Sequence, residues 1–166
     1  RFSRDARPRV LDTYRLLAVN YQDATISAPL LFEMARQIQA FGGSPTDSEH
    51  VFTELQSLFP ESSFAAASCF ETGRMWYEKH NYKKAYQGFS SYVAKYPEGV
   101  DLLNAQYHMC ICSLHLSPGE DGERDLLALV NEHPDLKQAA KALETIAANR
   151  FGRRDYDGAR ELYRAI

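Results

Sequence analysis

Pro60, Pro97 and Pro134 lie 37 residues apart, and each ends a segment of similar character: Leu58-Phe59-Pro60, Lys95-Tyr96-Pro97 and Glu132-His133-Pro134. Proline has no backbone N–H and its ring clashes with the preceding turn, so it stops a helix. Helix stops at a fixed interval mark a chain of stacked helical units, and such units cannot bury their apolar faces alone. That restricts the chain to an all-α architecture, one that presents a surface instead of gathering residues around a catalytic pocket.

Three further registers keep the same interval. Gly73, Cys110 and Ala147 form one, Ala85, Gly122 and Ala159 a second, and Phe52, Phe89, Leu126 and Tyr163 a third. The first two hold small side chains and the third large apolar ones. Small residues at a fixed point let paired helices approach closely, and large ones fill the space where the pair diverges. Tyr82 and Tyr156 are two intervals apart.

Each interval divides into two helices. Apolar or small residues at 66, 69, 70, 73, 76 and 77 follow an i, i+3, i+4 rhythm, which predicts a helix over 64–79. His80-Asn81 breaks it, and a second apolar stripe predicts a helix over 82–96. The following units read as 101–116 with about 122–132, and 136–151 with 156 onward after a turn at Gly152-Arg153-Arg154. Ser44-Pro45-Thr46-Asp47 predicts a capped start for a helix over 45–58, and Ser117-Pro118-Gly119-Glu120 predicts another such start. Asp135 with Gln138 reads as a capping box. Ser27 before Pro29 predicts a helix over about 28–41, ended by Gly42-Gly43. A divergent or capping helix is expected over about 8–21. The expected organisation is a single domain over 1–166, with hairpins at about 28–58, 64–96, 101–132 and 136–166.

The chain of 166 residues is 45% apolar and 25% charged, with a formal net charge of −3. No acidic tail or basic nucleic-acid stripe is present, and the arginines at 1, 4, 7, 9, 150, 153 and 154 read first as solvated helix ends. No apolar run reaches membrane-spanning length. The sequence begins at arginine without an initiator methionine or signal peptide, and reads as a processed or trimmed piece. Its last helix stops in an apolar pattern, so either the parent chain continues or residues 162–166 face a neighbour.

The registers resemble the tetratricopeptide repeat. The small–aromatic–small–aromatic–proline signature of that family stands here as Gly73, Trp76, Tyr82, Ala85, Phe89 and Pro97, repeated in part by Ala147, Tyr156, Ala159 and Tyr163. The middle unit keeps Cys110, Gly122, Leu126 and Pro134, with Ser113 in place of the aromatic. Family repeats run to about 34 residues. The excess here lies between each helix-ending proline and the next small position. With the turn Tyr96-Pro97-Glu98-Gly99, this lengthening resembles a bacterial envelope subclass, which includes the lipoprotein of the outer-membrane β-barrel assembly machine and the periplasmic Tol–Pal coordinator.

The resemblance implies a right-handed superhelix of helical hairpins whose first helices line a concave groove. It implies a non-catalytic protein-binding scaffold, in assembly or coordination of a cell-envelope complex in the periplasm. Any membrane attachment would run through a lipidated N-terminus outside this numbering. The alternatives are an intracellular adaptor in the cytoplasm, or an accessory region of a larger enzyme. Mapped onto this chain, the groove positions are Ala67, Phe70, Arg74 and Tyr77, then Asn104, Tyr107, His108, Ile111 and Leu114, then Lys141, Glu144, Ala148 and Phe151. The aromatics would anchor a protein or peptide partner, and Arg74 and Asn104 would bond its backbone. Packing in the core is the competing reading for the same aromatics. Phe70, Arg74 and Ile111 stand where the lysine/asparagine clamp of cytosolic chaperone receptors would be, so a terminal carboxylate is not the expected ligand.

Residues able to do chemistry do not converge. Cys110 and Cys112, two apart on a helix, point about 200° away from one another, so they cannot share an ion or an ordinary disulfide. Cys110 sits in a small-residue register and reads as a buried small hydrophobe. His108, Cys112 and His115 share one stripe and could geometrically form a three-ligand set, but they read first as surface or groove residues. His50, His80 and His133 fall near helix ends. Asp155 with Asp157 and Glu120 with Asp121 read as helix-start electrostatics. No phosphate loop, nucleophile elbow or zinc-protease motif occurs. No cofactor, metal or nucleic acid is expected.

Overall fold

The computed structural model describes Thr13, Leu16 and residues 24–166 except Pro118 and Leu136; the side chains of Ala24, Glu120, Asp121 and Ala165 are not described. The helix expected over 8–21 lies outside the described residues. The others are α1 (Ala24–Ala40), α2 (Pro45–Leu58), α3 (Ser63–Glu78), α4 (Tyr82–Lys95), α5 (Leu102–Leu116), α6 (Glu120–Glu132), α7 (Ala139–Gly152) and α8 (Tyr156–Ala165). Among the described residues every regular element is a helix.

The three prolines act alike. The residue before each is the helix C-cap, and all three caps have nearly the same backbone: Phe59 at φ −133°, ψ 58°, Tyr96 at −128°, 64°, and His133 at −129°, 69°. The proline ring excludes the α region for its predecessor. Each cap N–H still bonds back four residues, to the carbonyls of Leu55, Tyr92 and Leu129, at 2.8–3.0 Å.

Contacts divide the chain into two compact units, Arg1–Lys79 and His80–Ile166. In the first, α2 packs on α1 and α3. Leu31, Ala35, Phe52 and Leu55 form its centre, and Phe32 packs at 5.6 Å from Phe52 and 5.5 Å from Phe64. The buried Ser48 hydroxyl donates to the Ala35 carbonyl at 3.0 Å, and the Trp76 indole N–H donates to Glu49 at 3.0 Å, tying each helix of the trio to its neighbour.

In the second unit each helix from α4 to α8 packs on the next. Phe89 and Leu126, one interval apart, are both completely buried, as are Ala85, Ala105, Ile146 and Ala147. A Cβ on Gly122 would lie 3.1 Å from Leu114 Cδ2, so the small register does mark close approach of α5 and α6.

Several local expectations change. α1 carries Pro29 inside it. One lost N–H bond is outweighed there by full burial of Ala28, Leu31 and Ala35. Ser44 caps α2 as expected, accepting the Thr46 N–H at 3.3 Å. Ser117 does not cap α6: it closes α5, its N–H bonding Ser113, and Gly119 is the N-cap. The Asp135/Gln138 box does not form, and α7 starts at Ala139, because Gln138 turns its amide to Asn104 at 2.9 Å. In the α7–α8 turn the left-handed residue is Arg154 (φ 67°), while Gly152 ends the helix. His80, two intervals earlier, takes the same conformation (φ 56°).

Candidate functional site

The expected groove residues meet different fates. On α3, Phe70, Arg74 and Tyr77 are half-buried. Arg74 already holds two carboxylates of its own helix, with Nε 3.0 Å from Glu71 Oε2 and Nη1 2.5 Å from Glu78 Oε1. On α5, Tyr107, Ile111 and Leu114 are buried in packing. The helix lies between α4 and α6, which consumes both of its apolar sides. Asn104 is half-buried and bonded to Gln138, and sits 3.4 Å from Asp101. His108 stacks on Phe89 at 5.1 Å between centroids.

The third stripe is open. Lys141, Glu144, Ala148 and Phe151 of α7 are all exposed, and their i, i+3, i+7, i+10 spacing places them on one side of the helix. Lys141 Nζ and Glu144 Oε2 pair at 2.8 Å. Phe151 is 59% exposed, whereas Leu114 in the same register on α5 is 2% exposed. The Phe151 ring meets Tyr156 edge-on at 5.3 Å and 69°, so an aromatic ledge continues from α7 onto α8.

Next to this ledge lies an ionic cluster, in which Arg150 and Arg153 are paired with a buried carboxylate and are not the solvated helix ends expected. Glu123, 2% exposed, accepts from Arg150 Nε at 3.0 Å and from Arg153 Nη2 at 2.5 Å. The three line an open cavity of about 510 Å³ with Arg124, Leu127, Asn131 and Asp155. The pairing fixes the C-terminal end of α7 to α6, and with it the position of Phe151. Glu123 is one of several acids in Glu120-Asp121-Gly122-Glu123-Arg124-Asp125, and no periodic signal singles it out.

The cysteines and histidines have structural environments. None of the three described cysteines forms a disulfide. Burial pushes the Cys110 thiol up to about 11, with the Asp125 carboxylate adding to it, and Cys112 up to about 12. Cys112 is fully buried, whereas Cys110, expected to be a buried small hydrophobe, is only half-buried. His115 stacks flat on Tyr82 at 3.9 Å and 6°, while His108 faces Phe89, so the two rings serve different aromatics. Among the described residues no group of three His, Cys, Asp or Glu side chains could hold a metal. Asp155 caps α8 through the Gly158 N–H at 3.0 Å, and Asp157 pairs with Arg160 at 2.9 Å. No described helix is long and apolar enough to cross a membrane.

Paired helices of this length with aromatic and small residues at repeating registers define an all-α fold of tetratricopeptide-like hairpins. Solved structures agree on the fold. The apo form of RapI matches with a TM-score of 0.76 at 14% identity, over 98% of this chain and 48% of that one. The nearly identical TPR-like repeats from Podosopora anserina match at 0.70 and 14% identity, over 96% and 83%. MamA from Desulfovibrio magneticus RS-1 matches at 0.69 and 17% identity, over 98% and 84%. No family model matches the sequence. No curated protein matches it significantly either. At these identities the likeness establishes the fold and nothing beyond it.

Proposed function

We propose that this chain is a non-catalytic scaffold that binds a protein or peptide partner, and that it serves assembly or coordination of a bacterial envelope complex. The observation that carries the binding reading is the open stripe of α7. Lys141, Glu144 and Phe151 stand exposed on a helix held rigidly from behind by Ala142, Ile146 and Ala147. A rigid aromatic flanked by charges gives contact area at small entropic cost. Phe70 and Tyr77, half-buried on α3, keep the same role in the first unit.

The envelope part rests on the sequence resemblance at Tyr96-Pro97-Glu98-Gly99 and on the lengthened interval. Periplasmic residence, with attachment through a lipidated N-terminus, is part of that reading.

A photo-crosslinking side chain at Glu144, with one at Tyr86 on α4 as reference, tests the binding reading in cells making the protein. A discrete protein adduct from position 144 and none from position 86 supports it. Equal adducts at 144 and 86, or none at 144, sink it. The parental N-terminus tests the compartment: a lipoprotein signal ending in cysteine supports the envelope, and a cytoplasmic start removes it.

A further inference from the structure

The second unit shows how this fold covers one of its own aromatic ridges, and a second such ridge is exposed on the last described helix. On α4, Tyr82 and Phe89 are seven residues apart and share one side of the helix. α5 runs antiparallel against them and places His115 flat on Tyr82, at 3.9 Å and 6°, and His108 on Phe89, at 5.1 Å and 14°. The histidines are also seven apart. Phe89 is thereby completely buried.

Two repeat intervals on, the same positions of α8 hold Tyr156 and Tyr163. They are 56% and 50% exposed, and Ile166 beside them is exposed as well. Ala159, between the tyrosines, is buried, so the helix is anchored while its ridge faces out. The flank differs in charge. Where α4 has Tyr86 and Ser90, α8 has Arg160 and Arg164, both exposed.

We propose that the Tyr156/Tyr163 ridge docks an amphipathic helix of a partner protein. That helix runs antiparallel to α8, with two planar side chains, histidine or aromatic, seven residues apart and carboxylates facing Arg160 and Arg164. The α4–α5 pair supplies the geometry, and exposed Arg164, with Arg160 beside its Asp157 partner, supplies the charge complementarity. This rests on the protein-binding reading above and deepens it by naming the partner's form.

The test uses the whole chain and a synthetic fluorescent peptide. The peptide carries residues 101–117 with Tyr107→Glu, Ile111→Glu and both cysteines changed to serine; a control peptide adds His108→Ala and His115→Ala. The expected result is saturable binding by anisotropy, with amide NMR shifts confined to α8 and the end of α7. Binding should weaken about tenfold or more for the control peptide and for the chain with Tyr156→Ser and Tyr163→Ser. The Arg160→Glu, Arg164→Glu chain should weaken it too and reverse its salt dependence. Unchanged melting of these variants shows that the fold is retained.

No binding, binding indifferent to the tyrosines, or a parental sequence whose own next helix covers the ridge overturns the proposal. Shifts at Tyr82 would mean that the peptide displaces α5, and they overturn it too. Sedimentation showing a dimer of the free chain, abolished by Tyr163→Ser, assigns the ridge to a second copy instead. A crosslinked partner at Glu144 alongside failure here leaves the binding reading standing, so the two failures are distinguishable.

Discussion

The Tyr92 hydroxyl accepts the backbone N–H of Asp101 at 3.2 Å, across the turn that joins α4 to α5. Gly99 passes so close to the same hydroxyl that a Cβ there would collide with it, and would lie 3.0 Å from Tyr92 Cζ. The conspicuous Tyr96-Pro97 pair sets the cap, but Tyr92, one turn earlier and fully buried, organises the lengthened connection. Tyr92→Phe leaves the Asp101 N–H without this partner and is expected to cost about 1–2 kcal/mol by urea unfolding. Gly99→Ala should also destabilise, because its Cβ meets a buried ring rather than a mobile chain end.

Glu123 is a buried carboxylate held by two guanidinium groups. Glu123→Ala leaves two arginines facing an emptied site, and the expected loss is about 3 kcal/mol or more. Arg153→Ala should cost clearly less, because Arg150 still neutralises the carboxylate. Equal losses in chemical denaturation for the two variants would contradict the shared pairing.

Leu114 and Phe151 occupy one register and opposite environments. Leu114→Ala is expected to cost about 2–5 kcal/mol through cavity formation. Phe151→Ala should stay within about 0.5 kcal/mol, as at an ordinary surface position. A large loss at Phe151 would show that its ring is core and would remove the binding assignment.

Burial lowers the proton affinity of His115, and the neighbouring His80 lowers it further. The unfolded chain therefore takes up this proton more readily than the fold does. Stability from this group is fully present above its ordinary value near 6.5 and is lost as pH falls through the lower folded value. Denaturation midpoints should fall between pH 7 and pH 5, and His115→Gln should flatten that slope. An NMR titration placing His115 above 6.5 would contradict the stacked, partly desolvated geometry.

The Cys110 and Cys112 thiols are pushed up to about 11 and about 12. Their contribution to stability is whole below pH 9 and is lost as pH rises through those values. At neutral pH both should react with a thiol reagent far more slowly in the native chain than in urea. Rapid native labelling of Cys112 would show that α5 is not the packed helix described.

Helix existence was legible because proline and apolar periodicity act locally. α2, predicted over 45–58, runs Pro45–Leu58, and the predictions over 64–79 and 82–96 fall within a residue at each end. The caps at Ser117 and Asp135 were misread for a different reason. A capping pattern states only which bonds are available, and competing long-range partners such as Asn104 for Gln138 decide which are made.

The sequence by itself determined an all-α chain of helical hairpins with small residues at close crossings, because period, proline and side-chain volume are properties of neighbours along the chain. Only tertiary structure decided which aromatic is core and which is surface. Leu114 and Phe151, or Phe89 and Tyr163, are indistinguishable by register, yet one of each pair is buried and the other open. Burial depends on whether another helix lies against that face, and no local pattern carries that information.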